Sequence, residues 1–139
     1  MSKIRSFLLL FWICSLSANA LPASLQAYIA GGAPVESVSI FVLSNSGKME
    51  PLSTIQVQSD NSFQLNFDIP MGGYFDLVFL QGQKRKELLV VVNPGDSMQL
   101  YLLQDADNIY IERVVGSPDN ELLRSCQVFK AQTLASMQA

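Results

Sequence analysis

Two cysteines, no histidine and twelve carboxylates bound the chemistry open to this 139-residue chain. Without histidine there is no Ser-His-Asp triad, no Cys-His pair and no His-bearing zinc site. Serine and carboxylate side chains are plentiful, but a nucleophile needs a base within reach, and no imidazole supplies one. The thiols are Cys14 and Cys126. Neither sits in a Cys-x-x-Cys, so dithiol redox chemistry within this chain is excluded. Cys126 has a reactive or chain-pairing reading in an oxidising compartment. Its spacing with Leu122 and Phe129 instead places it as a small apolar residue on the buried face of a helix. Asp105 and Asp107 with Asn108 resemble a fragment of a calcium loop, but the glycine at the sixth position and the closing glutamate are missing, so a solvated turn is expected. Lys84-Arg85-Lys86 is the only basic run. It lies at a strand connection without interleaved aromatics, and a net charge of −3 with a pI near 4.7 is not the footprint of a nucleic-acid binder. No catalytic, cofactor-binding or metal-binding residue is assigned, and the chain reads as a non-enzyme. Tyr28, Tyr74, Tyr101 and Tyr110 alternate opposite apolar strand faces. They suit a contact surface for a glycan or peptide, and equally suit strands with one wet end.

The elements that must position these residues begin after residue 20. Lys3 and Arg5 form a positive n-region, Phe7 to Leu16 a ten-residue apolar run, and Ala18-Asn19-Ala20 a small-residue cleavage site. That order is the pattern of a secretory signal peptide, with cleavage expected after Ala20. The apolar run is too short to span a bilayer, which takes about 20 residues. Lipid attachment at Cys14 is not expected, because Phe11 and Ile13 occupy positions that want a branched aliphatic and a small residue. Residues 21–139 then form one domain with a single thiol, so no internal disulfide is possible.

The domain reads as a succession of short strands followed by one helix. The strands are placed at Leu25 to Ala30, around Val38 to Val42, around Ile55 to Val57, Ser62 to Asp68, Tyr74 to Leu80, Glu87 to Val92, around Met98 to Leu102, and Ile109 to Val115. In Ser62 to Asp68, Phe63, Leu65 and Phe67 face one way and Gln64 and Asn66 the other, a sheet with one dry and one wet face. Glu87 to Val92 is continuously apolar, which predicts a central strand covered on both faces. Asn45-Ser46-Gly47-Lys48 and Pro70-Met71-Gly72-Gly73 break the chain. Asp60 and Asn61 form a tight turn that tolerates positive φ. Pro94 and Gly95, followed by Asp96, fit the second and third positions of a type II turn. After Gly116, Ser117 suits an N-cap and Pro118 the first helical position, so a helix is expected over about 117–138. About eight strands at this spacing predict a mainly β fold, an antiparallel β-sandwich or barrel-like meander with one C-terminal α-helix.

Gly31, the Asp60-Asn61-Ser62-Phe63 turn, Asn93-Pro94-Gly95-Asp96 after an apolar strand, and Val115-Gly116-Ser117 with Asn120 opening the helix occur in a definite order. Across nearly all of residues 25–135 this order resembles the uncharacterised β-rich domain at the N-terminus of bacterial envelope thioredoxin-like thiol–disulfide oxidoreductases. The turn usually reads Asp-Gly in that family, and Asn61 stands in the glycine's place. The thioredoxin-like part with its Cys-x-x-Cys has no counterpart here, so no catalytic residue carries over. The resemblance implies a β-rich fold, a periplasmic or cell-envelope location, and an accessory domain that docks or positions a thioredoxin-like partner. Two rival expectations remain: a surface module for glycans or peptides, and the truncated front half of an oxidoreductase. The last would expose Phe129, Leu134 and Met137 on the helix and predict self-association through it. No nucleic acid, cofactor or membrane-spanning segment of the mature chain is expected.

Overall fold

The computed structural model describes residues 21–43, 46–69 and 71–138. The expected signal peptide with Cys14, and the turn residues Asn45 and Pro70, lie outside the described residues. Eight strands are followed by one helix: β1 (Leu21–Ala30), β2 (Ser37–Leu43), β3 (Met49–Gln56), β4 (Ser62–Ile69), β5 (Gly73–Gln81), β6 (Lys84–Val92), β7 (Ser97–Gln104), β8 (Ile109–Val115) and α1 (Pro118–Gln138). The fold is mainly β, and among the described residues the strands form two sheets rather than a closed barrel. One sheet has the order β4-β1-β7-β8 and the other β3-β2-β5-β6.

The alternation of apolar and polar residues explains the two layers. Ala23, Leu25, Ala27, Phe63, Leu65, Leu100 and Leu102 point inward from the first sheet, and Val38, Ile40, Phe75, Leu77, Phe79, Leu88 and Val90 from the second. Phe63 meets Phe79 edge-on with ring centroids 5.9 Å apart, and Phe67 meets Phe75 at 6.3 Å. Each fully buried side chain of this size contributes roughly 1.5–3 kcal/mol, so these layers dominate the stability.

The topology departs from a meander where β1 pairs with β4 and β7 and where β2 pairs with β5, and one of these pairings is parallel. β1 pairs antiparallel with β4 but parallel with β7, Leu25 opposite Met98 and Ala27 opposite Leu100. β6 also departs from expectation, being an edge strand rather than a central one. Lys86, Leu88, Val90 and Val92 turn inward, while Leu89 is exposed and Val91 half-covered. The apolar run therefore hides an ordinary alternation, with Leu89 and Val91 supplying outward apolar surface. β1 starts four residues earlier than expected. β3 starts at Met49 and ends at Gln56, one residue before Val57. It runs along a sheet edge and carries Pro51 opposite Phe41, beside the register shift between Ile40 and Phe41, the kind of edge position that tolerates proline.

The connections hold the sandwich ends. Asn61 adopts φ 61°, and its side chain accepts from the Val35 N–H at 3.1 Å and donates to the Ile29 carbonyl at 3.3 Å. Asparagine thus does more here than a glycine would, because it ties the β1–β2 connection to the β3–β4 turn. The Asp60 carboxylate accepts from the Ser62 hydroxyl at 2.6 Å and its N–H at 3.1 Å. In the Pro94-Gly95 turn, the Asp96 N–H reaches the Asn93 carbonyl at 3.1 Å, and Gly95 takes φ +81°. Gly116, at φ +83°, lies so close to β7 that a Cβ would stand 2.6 Å from the Ser97 carbonyl oxygen.

At the β1–β2 connection, which Asn61 also holds, the Gln104 carboxamide is a junction. It donates to the carbonyls of Gly31 and Ala33, both at 2.7 Å, and accepts from Gln81 at 2.8 Å and Lys86 at 3.1 Å. Lys86 is only 5% exposed, and its ammonium also donates to the Asp105 carbonyl at 2.7 Å. Beside it the Asp105 carboxylate accepts the N–H groups of Asp107 and Asn108 at 2.9 and 2.7 Å. These two bonds, the Asp107 one foremost, and the Lys86 charge hold its pKa below the usual aspartate value. A carboxyl with a depressed folded-state pKa stabilises the fold above its unfolded value of about 4, and that contribution is lost as pH falls through the folded value. Protection of the Asp107 and Asn108 amides, measured against their intrinsic exchange rates, is therefore expected to fall as pH drops below the usual aspartate range. Asp105→Asn removes the titration and is expected to flatten this dependence; an unchanged profile in that variant would assign it to another group.

Candidate groove beside the terminal helix

The local sequence after β8 dictates how α1 starts. The Ser117 carbonyl accepts the first helical bond from Glu121 at 3.1 Å, and the Ser117 hydroxyl accepts from the Asn120 N–H at 3.3 Å. Asp119 and Glu121 place negative charge in the first turn, where the helix dipole favours it. Glu121 also holds Arg124 in an ion pair at 2.5 Å, which lowers the glutamate pKa and raises that of the arginine.

Asn120 fixes the helix to the sandwich. It is fully buried, and its carboxamide donates to the Val91 carbonyl at 2.6 Å while accepting the Val91 N–H at 2.8 Å. Those are the two bonds a neighbouring strand would make to the β6 edge. The same amide nitrogen donates to the Ser117 hydroxyl at 2.8 Å. One side chain thus stands in for a strand, covers an unpaired edge and anchors the helix cap.

Beyond this anchor the helix rests lightly on the edges of β6 and β8. Asn120 is its one buried residue. Leu122, Phe129 and Met137 are 66%, 71% and 76% exposed, and Leu134 is half exposed. Cys126 is exposed as well, which corrects the expectation of a buried thiol. The reason is geometric: Asn120 sets the inward side of α1, and the stripe of Leu122, Cys126 and Phe129 lies on the side turned from it.

Between this stripe and the outer surface of the second sheet lies a groove of about 410 Å³. Leu122, Leu123 and Cys126 form its helical wall, and Gly72, Gly73, Tyr74 and Val91 its sheet wall. Asn93 and Asp119 close one end, the Asn93 amide donating to the Asp119 carboxylate at 2.9 Å. Gly72 is required for shape, because a Cβ there would run into the Asn93 side chain. The groove offers apolar walls, one free thiol and one carboxylate at its rim, a composition suited to receiving an apolar side chain flanked by a cation.

Of the sequence-assigned residues, the groove collects Tyr74 and Cys126, while the Pro94-Gly95-Asp96 turn and the Gly116-Ser117 cap lie outside its lining and only adjoin Asn93 and Asp119 in sequence. Asp60 and Asn61 lie at a separate turn, against the β1–β2 connection. The tyrosines do not form one cluster. Tyr28 and Tyr101 stack on the outer face of the first sheet with centroids 5.4 Å apart, and the Arg113 guanidinium lies 3.9 Å from the Tyr101 ring centre. Sequence reasoning missed the role of Asn120 and the sheet wall of the groove. The available signal was an asparagine three residues after a serine cap, inside a helix that otherwise disfavours it.

Among the described residues, no group of three or more Cys, Asp or Glu is placed to hold a metal ion, and no helix is long and apolar enough to cross a membrane. No protein-family model matches this chain, and no curated protein matches it.

Proposed function

We propose that this chain is an exported, non-catalytic accessory domain of the bacterial cell envelope that docks a thioredoxin-like redox protein in the groove beside α1. The carrying observation is the formed groove with its helical wall of Leu122, Leu123 and Cys126, continued along α1 by the exposed ring of Phe129. Apolar surface arranged in this way favours association over solvation. The resemblance to the domain that precedes thioredoxin-like enzymes supplies the identity of the partner, and the N-terminal pattern of charge, apolar run and small residues supplies the compartment.

Titration of the protein with purified envelope thioredoxin-like proteins is expected to give micromolar binding, and maleimide modification of Cys126 is expected to slow in the complex. Leu122→Asp is expected to weaken binding at least tenfold, about 1.4 kcal/mol, because it places a charge on the apolar wall. No interaction at about 100 µM with any such protein would sink the reading.

A second reading rests on the Tyr28–Tyr101–Arg113 stack. Aromatic rings beside a guanidinium, with Gln26 donating to the Tyr28 hydroxyl at 2.8 Å, form a polar-aromatic surface suited to a glycan or peptide. Ligand-induced shifts confined to Tyr28, Tyr101 and Arg113 resonances would favour it.

A further inference from the structure

We propose that a second copy of this chain fills the groove, the two α1 helices lying antiparallel so that Phe129 of each copy enters the groove of the other and Lys130 of each meets Asp119 of the other. The inference rests on the docking reading for its site, but not for the identity of the redox partner.

Three observations carry it. The exposed stripe runs Leu122, Cys126, Phe129, Thr133, with spacings of four, three and four, the pattern by which one helix seats its side chains between those of another. The stripe is self-complementary: its first half, with Leu122, Leu123 and Cys126, is a wall of the groove, and its second half presents the large exposed ring of Phe129. Helical side chains lean toward the N-terminus, which directs Phe129 of one copy toward Leu122 and Leu123 of an antiparallel partner.

Charge fixes the orientation. Asp119 lies at the groove rim near the start of α1, and Lys130 follows Phe129 in its second half. Among the described residues Lys130 makes no ion pair. Antiparallel pairing brings these opposite charges together twice about a twofold axis, whereas parallel pairing sets acidic ends side by side. It also opposes the two helix dipoles favourably. Exposed charges of this kind select the register more than they add affinity.

Sedimentation velocity on protein purified from the full-length reading frame is expected to show a dimer at about 100 µM, and a single monomeric species at that concentration overturns the inference. Phe129→Glu is expected to give a monomer with the unfolding midpoint of the dilute, dissociated wild type, since the ring touches little of its own fold; a persistent dimer also overturns it. Lys130→Asp is expected to weaken the dimer roughly tenfold, and combining it with Asp119→Lys to restore it. Failure of the swap to restore a folded double variant, judged by circular dichroism, rejects the antiparallel arrangement. A monomeric chain that still binds a thioredoxin-like protein removes this inference and leaves the docking reading; a dimer that binds none does the reverse.

Discussion

Asn120→Ala is expected to lower the unfolding free energy by about 3 kcal/mol and to release α1 from the sandwich. The carboxamide makes two bonds to Val91 and one to the cap serine, all in a fully buried position. Removing it leaves a β6 N–H and C=O without partners and a cavity beneath the helix. A buried donor or acceptor left unmade costs about 1–3 kcal/mol, while an ordinary hydrogen bond contributes about 1. Urea unfolding gives the magnitude, and hydrogen exchange along residues 118–138 shows whether the helix detaches before the sheets open. Asn120→Asp is expected to be at least as damaging. It keeps an acceptor for the Val91 N–H but sets a buried carboxylate against the Val91 carbonyl. Wild-type stability in Asn120→Ala would mean that the helix is held by its apolar contacts instead.

Gln104→Leu is expected to cost about as much, roughly 3 kcal/mol, for a different reason. Gln104 joins four partners, and one of them is a buried ammonium. Leucine matches the bulk but leaves Lys86 with the Asp105 carbonyl alone and strips the Gly31 carbonyl of its partner, while the Ala33 carbonyl keeps only the Gln81 amide. A buried charge deprived of a partner is costlier than a neutral group in the same place. The paired variant Gln104→Leu with Lys86→Met is expected to recover part of the loss, because charge and partner then leave together. Denaturation midpoints of the three variants give the coupling directly. Strictly additive losses would show that Lys86 draws its compensation from elsewhere.

The mainly β fold and the terminal helix were legible because both depend on local alternation. Phe63, Leu65 and Phe67 report period 2 with no knowledge of what lies opposite, and Ser117-Pro118 announces a helix start by its own chemistry. The position of a strand within a sheet is not local information. Glu87 to Val92 looks central because Leu89 and Val91 are apolar, yet their outward surface belongs to the edge beside α1. The buried reading of Cys126 failed similarly. A helical stripe shows which residues share a face, but Asn120, a polar residue, sets which face turns inward. The groove was visible only in fragments, since Tyr74 and Cys126 are distant in sequence and meet through the β5–β6 wall.

The parallel pairing of β1 with β7 sets the order in which the protein can assemble. β1 lies inside its sheet, between β4 and a strand that follows about seventy residues later in the chain. Until β7 emerges, β1 has only its antiparallel pairing with β4 on one side and an open ladder on the other. Closing so long a loop has an entropic cost before any contact rewards it, so completion of this sheet is expected to limit the folding rate. During that interval the bare edge of β1 can accept a β7 from another nascent chain as readily as its own. Dilution and rapid synthesis of the segment between them are thus part of the conditions under which each copy closes its sandwich with its own β7.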